Sequence, residues 1–130
     1  MKTIIAGSRS ITDFSIVEEV VEKSGWKNKI TEVVSGCARG VDKLGEMWAR
    51  NHGIPVKRFP ADWDKHGRSA GYRRNIDMAK YGDALVAVWR SNSKGTANMV
   101  NTMKRLDKPI YIHYVQDYNQ NAWMIIGDND

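Results

Sequence analysis

One pattern constrains this chain more than any other: short apolar runs alternate with amphipathic segments. The runs fall at residues 2–6, 32–35, 56–59, 84–89 and 109–113. A short apolar run bounded by turn residues reads as a buried strand, and apolar residues three or four apart read as one face of a helix. In the first helix Val17, Val20 and Val21 follow Ser15 and Glu18, a capping-box pair, and Gly25 closes it. The second carries Val41, Leu44 and Trp48 and runs to about His52, where Gly53 and Pro55 stop it. Tyr72, Ile76 and Ala79 mark a short third helix ended by Gly82. Val100 and Met103, with Met99 and Leu106 beside them, mark a fourth. Residues 61–70 (ADWDKHGRSA) show no period and read as a polar loop. Parallel neighbours need a crossover, so strands alternating with helices predict an α/β fold. The expected form is a single Rossmann-like, doubly wound parallel sheet of about five strands in the order 3-2-1-4-5, with helices on both faces.

At 130 residues there is room for one domain. Residues 1–113 account for it. The segment 114–130 holds Asp117, Asp128 and Asp130 and no lysine or arginine, with one apolar patch at 123–126. It is expected to pack on the core or on a partner subunit, and a homodimer is the expected assembly. No apolar run approaches the roughly 20 residues of a membrane span. The opening MKTIIAGSRS turns polar too early for a signal-peptide core, so a cytoplasmic protein is expected, without membrane contact. A single cysteine excludes a disulfide framework, and His52, His66 and His113 lie far apart. Neither a metal nor a cofactor is expected. The net charge is +5, and residues 57–74 concentrate it, with six cations against Asp62 and Asp64. Such a cluster suits a phosphate-bearing partner, a nucleotide or a nucleic acid.

A doubly wound sheet binds ligands beyond the carboxyl ends of its strands, at the point where strand order reverses. For the order 3-2-1-4-5 that point lies between strands one and four. The loops to examine are 7–12, 35–40, 61–70 and 90–96. After strand one, Gly7 permits close backbone approach while Ser8 and Arg9 offer donors to an anion. After strand two, Ser35, Gly36, Arg39 and Gly40 lead straight into a helix, and small residues at a helix N-terminus expose amides to phosphate. Asp42 stands in that helix's first turn, placed either to take a ribose hydroxyl or to complement the helix dipole. Gly95 and Thr96 open another helix in a loop of small residues. The patterns G-x-G-x-x-G after strand one and G-x-x-x-x-G-K-[ST] are both missing, which disfavours an ordinary dinucleotide fold and a P-loop ATPase.

The order of these segments resembles a known family. Ala6-Gly7-Ser8-Arg9, Ser35-Gly36-Cys37-Ala38-Arg39-Gly40-Val41-Asp42, Pro60-Ala61-Asp62-Trp63, His66-Gly67-Arg68-Ser69-Ala70-Gly71, Arg74-Asn75 and Lys94-Gly95-Thr96-Ala97-Asn98-Met99 follow one another across residues 2–113. They resemble the SLOG superfamily, which joins the DNA-processing protein DprA (Smf) to the Lonely Guy (LOG) phosphoribohydrolases. Within it the likeness is to the small YspA/YpsA-related branch found in bacteria and phages. The resemblance implies a pocket for a nucleotide or nucleotide-derived molecule, held for sensing or sequestration. Arg9, Arg39, Arg73 and Arg74 would then pair with phosphate, a task for which arginine's fork is better shaped than lysine. Trp63 would stack on a base, Asp62 would accept from an amino or hydroxyl group, and Asn75 would either touch ligand or cap its helix.

Two other activities follow from the same resemblance. LOG enzymes hydrolyse the N-glycosidic bond of nucleoside monophosphates with a P-G-G-x-G-T-x-x-E motif. Here Gly95-Thr96 is present, the loop begins Ser91-Asn92-Ser93, and Met99 occupies the glutamate position. Asp42, Glu46 and Asp62 are the alternative acids, and no catalytic residue is assigned. DprA shares the G-S-R, S-G-x-A-R-G-x-D and R-N segments, which makes single-stranded DNA a third and less favoured partner.

Overall fold

The computed structural model describes residues 1–90 and 92–116. Its strands are β1 (Lys2–Gly7), β2 (Glu32–Ser35), β3 (Val56–Arg58), β4 (Ala84–Arg90) and β5 (Ile110–Val115). Its helices are α1 (Phe14–Ser24), α2 (Val41–Asn51), α3 (Trp63–His66), α4 (Ala70–Tyr81) and α5 (Lys94–Arg105). The strands form one sheet in the order β3-β2-β1-β4-β5, and every neighbouring pair is parallel. The expected α/β class and strand order are therefore what the chain adopts.

Side chains alternate across each strand, and the alternation builds two cores. On one face Ile5, Val33, Val86 and Val88 meet Val17, Val20 and Val21 of α1 and Val41, Leu44 and Trp48 of α2. On the other, Ile4, Ala6, Val34, Leu85 and Ala87 meet Met78 and Ala79 of α4 and Met99, Val100 and Met103 of α5. Each fully buried Val, Ile or Met contributes about 1.5–3 kcal/mol. Because α1 leaves β1 toward one face and α5 leaves β4 toward the other, a crevice opens above the paired ends of β1 and β4.

Four local expectations are corrected. Helix α1 is capped by Asp13, not Ser15: the Asp13 carboxylate accepts from the Ser15 amide at 2.9 Å and from its hydroxyl at 2.7 Å, placing Ser15 in the first turn. The 61–70 segment is not a structureless loop. Asp62 caps the short α3 by accepting from the Lys65 amide at 3.1 Å, and a 3₁₀ turn then leads into α4. Its missing period follows from how little it buries, Trp63 being 53% exposed. β3 ends at Arg58, and β5 runs on to Val115, past the boundary expected at 113. The expected packing of the acidic tail, with the patch at 123–126, lies outside the described residues.

Lys108 shows how the second face is fastened. Its ammonium donates to the carbonyls of Ala79 at 2.7 Å, Lys80 at 3.1 Å and Gly82 at 2.7 Å, where α4 ends and its carbonyls lack helical partners. Lys108→Met keeps the stem and removes the charge. It is expected to lower stability by about 1–2 kcal/mol, from lost charge-assisted bonds and dipole complement. A shift in the urea midpoint at constant slope is the readout.

Candidate functional site

The crevice at the carboxyl ends of β1, β2 and β4 is a cavity of about 780 Å³. That is the scale of a small-molecule site. Ser8 pins its walls together. The Ser8 amide donates to the Val88 carbonyl at 3.1 Å, and its hydroxyl accepts from the Arg90 amide at 2.8 Å. Its carbonyl accepts from the Ile11 amide at 3.3 Å and the Val41 amide at 3.4 Å. One serine thus ties the β1 loop, the end of β4 and the start of α2. Gly40 completes the join: its φ is +78°, and a Cβ there would stand 2.5 Å from the Ser8 carbonyl oxygen. Only glycine fits that backbone at that distance.

The lining is strongly cationic. Arg9, Arg39, Arg68, Arg74, Arg90 and Lys94 all contribute, and among the described residues Asp42 is the one lining carboxylate. Arg9 and Arg39 are exposed, so their guanidiniums reach the cavity without the cost of burial. Helix α5 brings its N-terminus to the opposite side. There Ser93 caps the helix by accepting from the Thr96 amide at 3.3 Å, and the Ser93 and Thr96 hydroxyls lie 2.6 Å apart. Gly95 has open space beyond its Cα. Amides, hydroxyls and the positive end of a helix dipole are together the groups from which an anion cradle can be built. Trp63 and Tyr72, 53% and 47% exposed, supply aromatic faces from α3 and α4.

Of the residues singled out in the sequence, Gly7, Ser8, Arg9, Arg39, Asp42, Trp63, Arg74, Asn75, Gly95 and Thr96 line this one cavity. The other five stand apart from its wall. Ser35 is buried behind α2, donating to Glu46 Oε2 at 2.6 Å. Gly36 is occupied as the acceptor of an Arg74 hydrogen bond, and Gly40 is packed against the β1 loop. Asp62 is committed as the α3 cap. Arg73 points away on α4, where it donates to the Ser69 hydroxyl at 3.0 Å. Asn75 works as a clamp as well as a lining residue. Its amide donates to Asn98 Oδ1 at 2.9 Å, and its own oxygen accepts from Arg74 Nε at 3.0 Å, locking α4 to α5. Trp48 is core, 1% exposed. Sequence reasoning missed Tyr72, and it included Arg90 only as the start of the 90–96 loop. Tyr72 carried a helical-period signal that looks the same whether a side chain faces core or crevice.

Asp42 is 6% exposed, and its Oδ2 accepts from the Ala38 amide at 3.1 Å. Burial pushes its carboxyl up to about 6, against the opposing pull of that amide and of the positive charges on Arg74 and Arg9. Burial also pulls the Arg74 guanidinium below its ordinary value, while Asp42 works to raise it. The folded protein holds the Asp42 proton more tightly than the unfolded chain does. Its stabilising contribution is complete below the unfolded value of 3.8 and lost as pH rises through about 6. Asp42→Asn keeps an acceptor for Ala38 and removes the charge. The variant is expected to melt several degrees above wild type at pH 8, with the gap closing progressively toward pH 3, read by calorimetry of the free protein.

The comparisons agree with this architecture. Residues 1–66 match the family described as the YspA, cpYpsA-related SLOG family. The "Gene 61 protein" of Mycobacterium phage D29 is 31% identical over 116 residues, covering 84% of this chain and 93% of that protein. The X-ray structure of DNA processing protein A (DprA) from Streptococcus pneumoniae superposes with a TM-score of 0.70 at 15% identity. The match covers 98% of this chain and 56% of that one. It shows the shared fold; this chain spans just over half of that larger protein. No helix among the described residues is long and apolar enough to cross a membrane. Among the same residues, no three His, Cys, Asp or Glu side chains gather as a metal site would require.

Proposed function

From the premise that this chain belongs to the YspA, cpYpsA-related SLOG family, we propose that it binds a nucleotide or nucleotide-derived small molecule at the carboxyl edge of its sheet, as a sensor or a sequestering module. The observation that carries this reading is the cavity of about 780 Å³ at the sheet edge, with six cations around one carboxylate among the described residues and the α5 N-terminus on its wall. Phosphate is gripped by the guanidiniums of Arg9, Arg39 and Arg74 and by the amides and hydroxyls at Ser93–Thr96. A base stacks on Trp63 or Tyr72. The pocket is built before the ligand arrives, because Ser8 and Asn75 fix its walls through hydrogen bonds within the chain.

A thermal-shift panel of nucleoside mono-, di- and triphosphates and cyclic nucleotides tests the reading. A true ligand at 100 times its Kd stabilises by about 2.7 kcal/mol. Arg39 is exposed, so Arg39→Ala is expected to leave the free protein's Tm unchanged while weakening that ligand at least ~10-fold, the loss of one charge-assisted contact. A panel that stabilises nothing counts against the proposal.

Hydrolysis is the second reading. Met99, at the position of the LOG glutamate, is 1% exposed inside the core of α5 and the sheet, which favours binding without glycosidic cleavage. Glu46 is sequestered by Ser35 and by Arg58 at 2.9 Å, and Asp62 is a helix cap, leaving Asp42 as the acid at hand. Free base released from nucleoside monophosphates, seen by chromatography, would favour the hydrolase. The neighbour named for DNA processing brings single-stranded DNA as a third partner, for which exposed Trp63 offers a stacking face. A gel shift at two salt concentrations separates it.

A further inference from the structure

Among the described residues lining the cavity, Asp42 is the charged group that an anion-binding role leaves unexplained. A carboxylate repels phosphate, and this one is 6% exposed. It offers about four acceptor positions. Among the described residues it receives one hydrogen bond, from the Ala38 amide, and no lysine or arginine nitrogen lies within 4 Å of it. Arg74, although close by, directs Nε to Asn75 Oδ1 and one terminal nitrogen to the Gly36 carbonyl, and none to Asp42. Glu46, one turn further along the same helix, makes the contrast. More deeply buried and off the cavity, it is satisfied by Ser35 at 2.6 Å and Arg58 at 2.9 Å. A buried carboxylate left short of donors is costly unless something else supplies them. Asp42 opens onto the cavity, where the part of a ligand that donates can supply them.

The placement says which part. Aromatic faces come from α3 and α4, and the anion cradle comes from α5 and the β1 loop. Asp42 enters from α2, a third side. A nucleotide with its base on the aromatics and its phosphate in the cradle turns its sugar toward that side. Resting on the nucleotide reading above, we infer that Asp42 accepts hydrogen bonds from the sugar hydroxyls of the ligand and makes the cavity selective for ribonucleotides over deoxyribonucleotides. Two hydroxyls answer the open positions of the carboxylate, and a dideoxy sugar answers none.

Titration calorimetry of the full chain tests this with the four ribonucleoside 5′-diphosphates and their 2′-deoxy and 2′,3′-dideoxy counterparts. The best-bound ribonucleotide is expected to exceed its dideoxy counterpart at least ~10-fold in wild type, the worth of a hydrogen bond to a charged group. In Asp42→Asn, whose amide NH₂ offers a donor where the carboxylate accepted, the gap is expected to fall below ~3-fold. Equal wild-type affinity for the ribo and dideoxy forms overturns the inference and leaves the nucleotide reading standing, and this comparison needs no variant. A full ~10-fold preference surviving in Asp42→Asn also overturns it. Binding of no ribonucleotide overturns the reading beneath it as well.

Discussion

Gly7→Ala is expected to destabilise the native fold severely, lowering its melting temperature by well over ten degrees. Gly7 is the last residue of β1 and pairs with Val88 of β4. A Cβ on it would stand 2.0 Å from the Val88 carbonyl oxygen and 2.8 Å from Val41 Cγ2. That carbonyl cannot simply withdraw, because it accepts from the Ser8 amide, and Ser8 in turn fastens Arg90 and the start of α2. Overpacking a rigid core costs about 1–3 kcal/mol, and here the obstacle is backbone, not a movable side chain. The total is expected to exceed about 4 kcal/mol, a large part of the 5–15 kcal/mol that holds a domain together. Circular dichroism melting is the check. A cooperative transition within a few degrees of wild type would contradict the packing described at the junction of β1, β4 and α2.

Gly95→Asp separates stability from binding, with effects of opposite sign. Gly95 lies in the first turn of α5 and has nothing within 4 Å of its would-be Cβ, so an aspartate fits without displacement. There it replaces a poor helix former and complements the helix dipole, a gain of about 0.5 kcal/mol. The same carboxylate stands in the proposed anion cradle. Repulsion of the ligand's phosphate is expected to weaken nucleotide binding at least ~100-fold, about 2.7 kcal/mol. Tm in the absence of nucleotide and affinity by titration calorimetry read the two halves independently. An unchanged affinity would remove α5 from the site.

Much of the scaffold was legible because burial on both faces writes itself into sequence. A strand such as β4, whose residues face α1 and α2 or α4 and α5 in turn, must be apolar throughout, and it stood out. The strand order followed from connection rules and short loops. The capping of α1 was misread because Ser15 and Glu18 form a plausible pair, while Asp13, two residues earlier, binds the Ser15 amide and hydroxyl directly. α3 was missed because a one-turn helix that buries almost nothing leaves no period.

The site was half legible for a related reason. Glycine, serine and arginine after strands mark loops that gather at the sheet edge, and Arg9, Arg39, Gly95 and Thr96 do meet there. Chemistry alone does not say which way a side chain turns. Arg73 and Arg74 are adjacent, yet only Arg74 faces the crevice, since neighbours on a helix point about 100° apart. Ser35 looks like a ligand group and is instead the partner of Glu46, a residue eleven positions away that only the packed α2 brings to it.

The central claim is that turns distant in sequence form one recognition surface for a nucleotide. Titrating isotope-labelled protein with the best nucleotide of the panel, while following backbone amides by NMR, tests it most directly. The account predicts that Arg9, Arg39, Gly95 and Thr96 shift together along a single saturation curve while the β3 and β5 edges stay still. Shifts confined to those edges, or separate curves for the three loops, would contradict it.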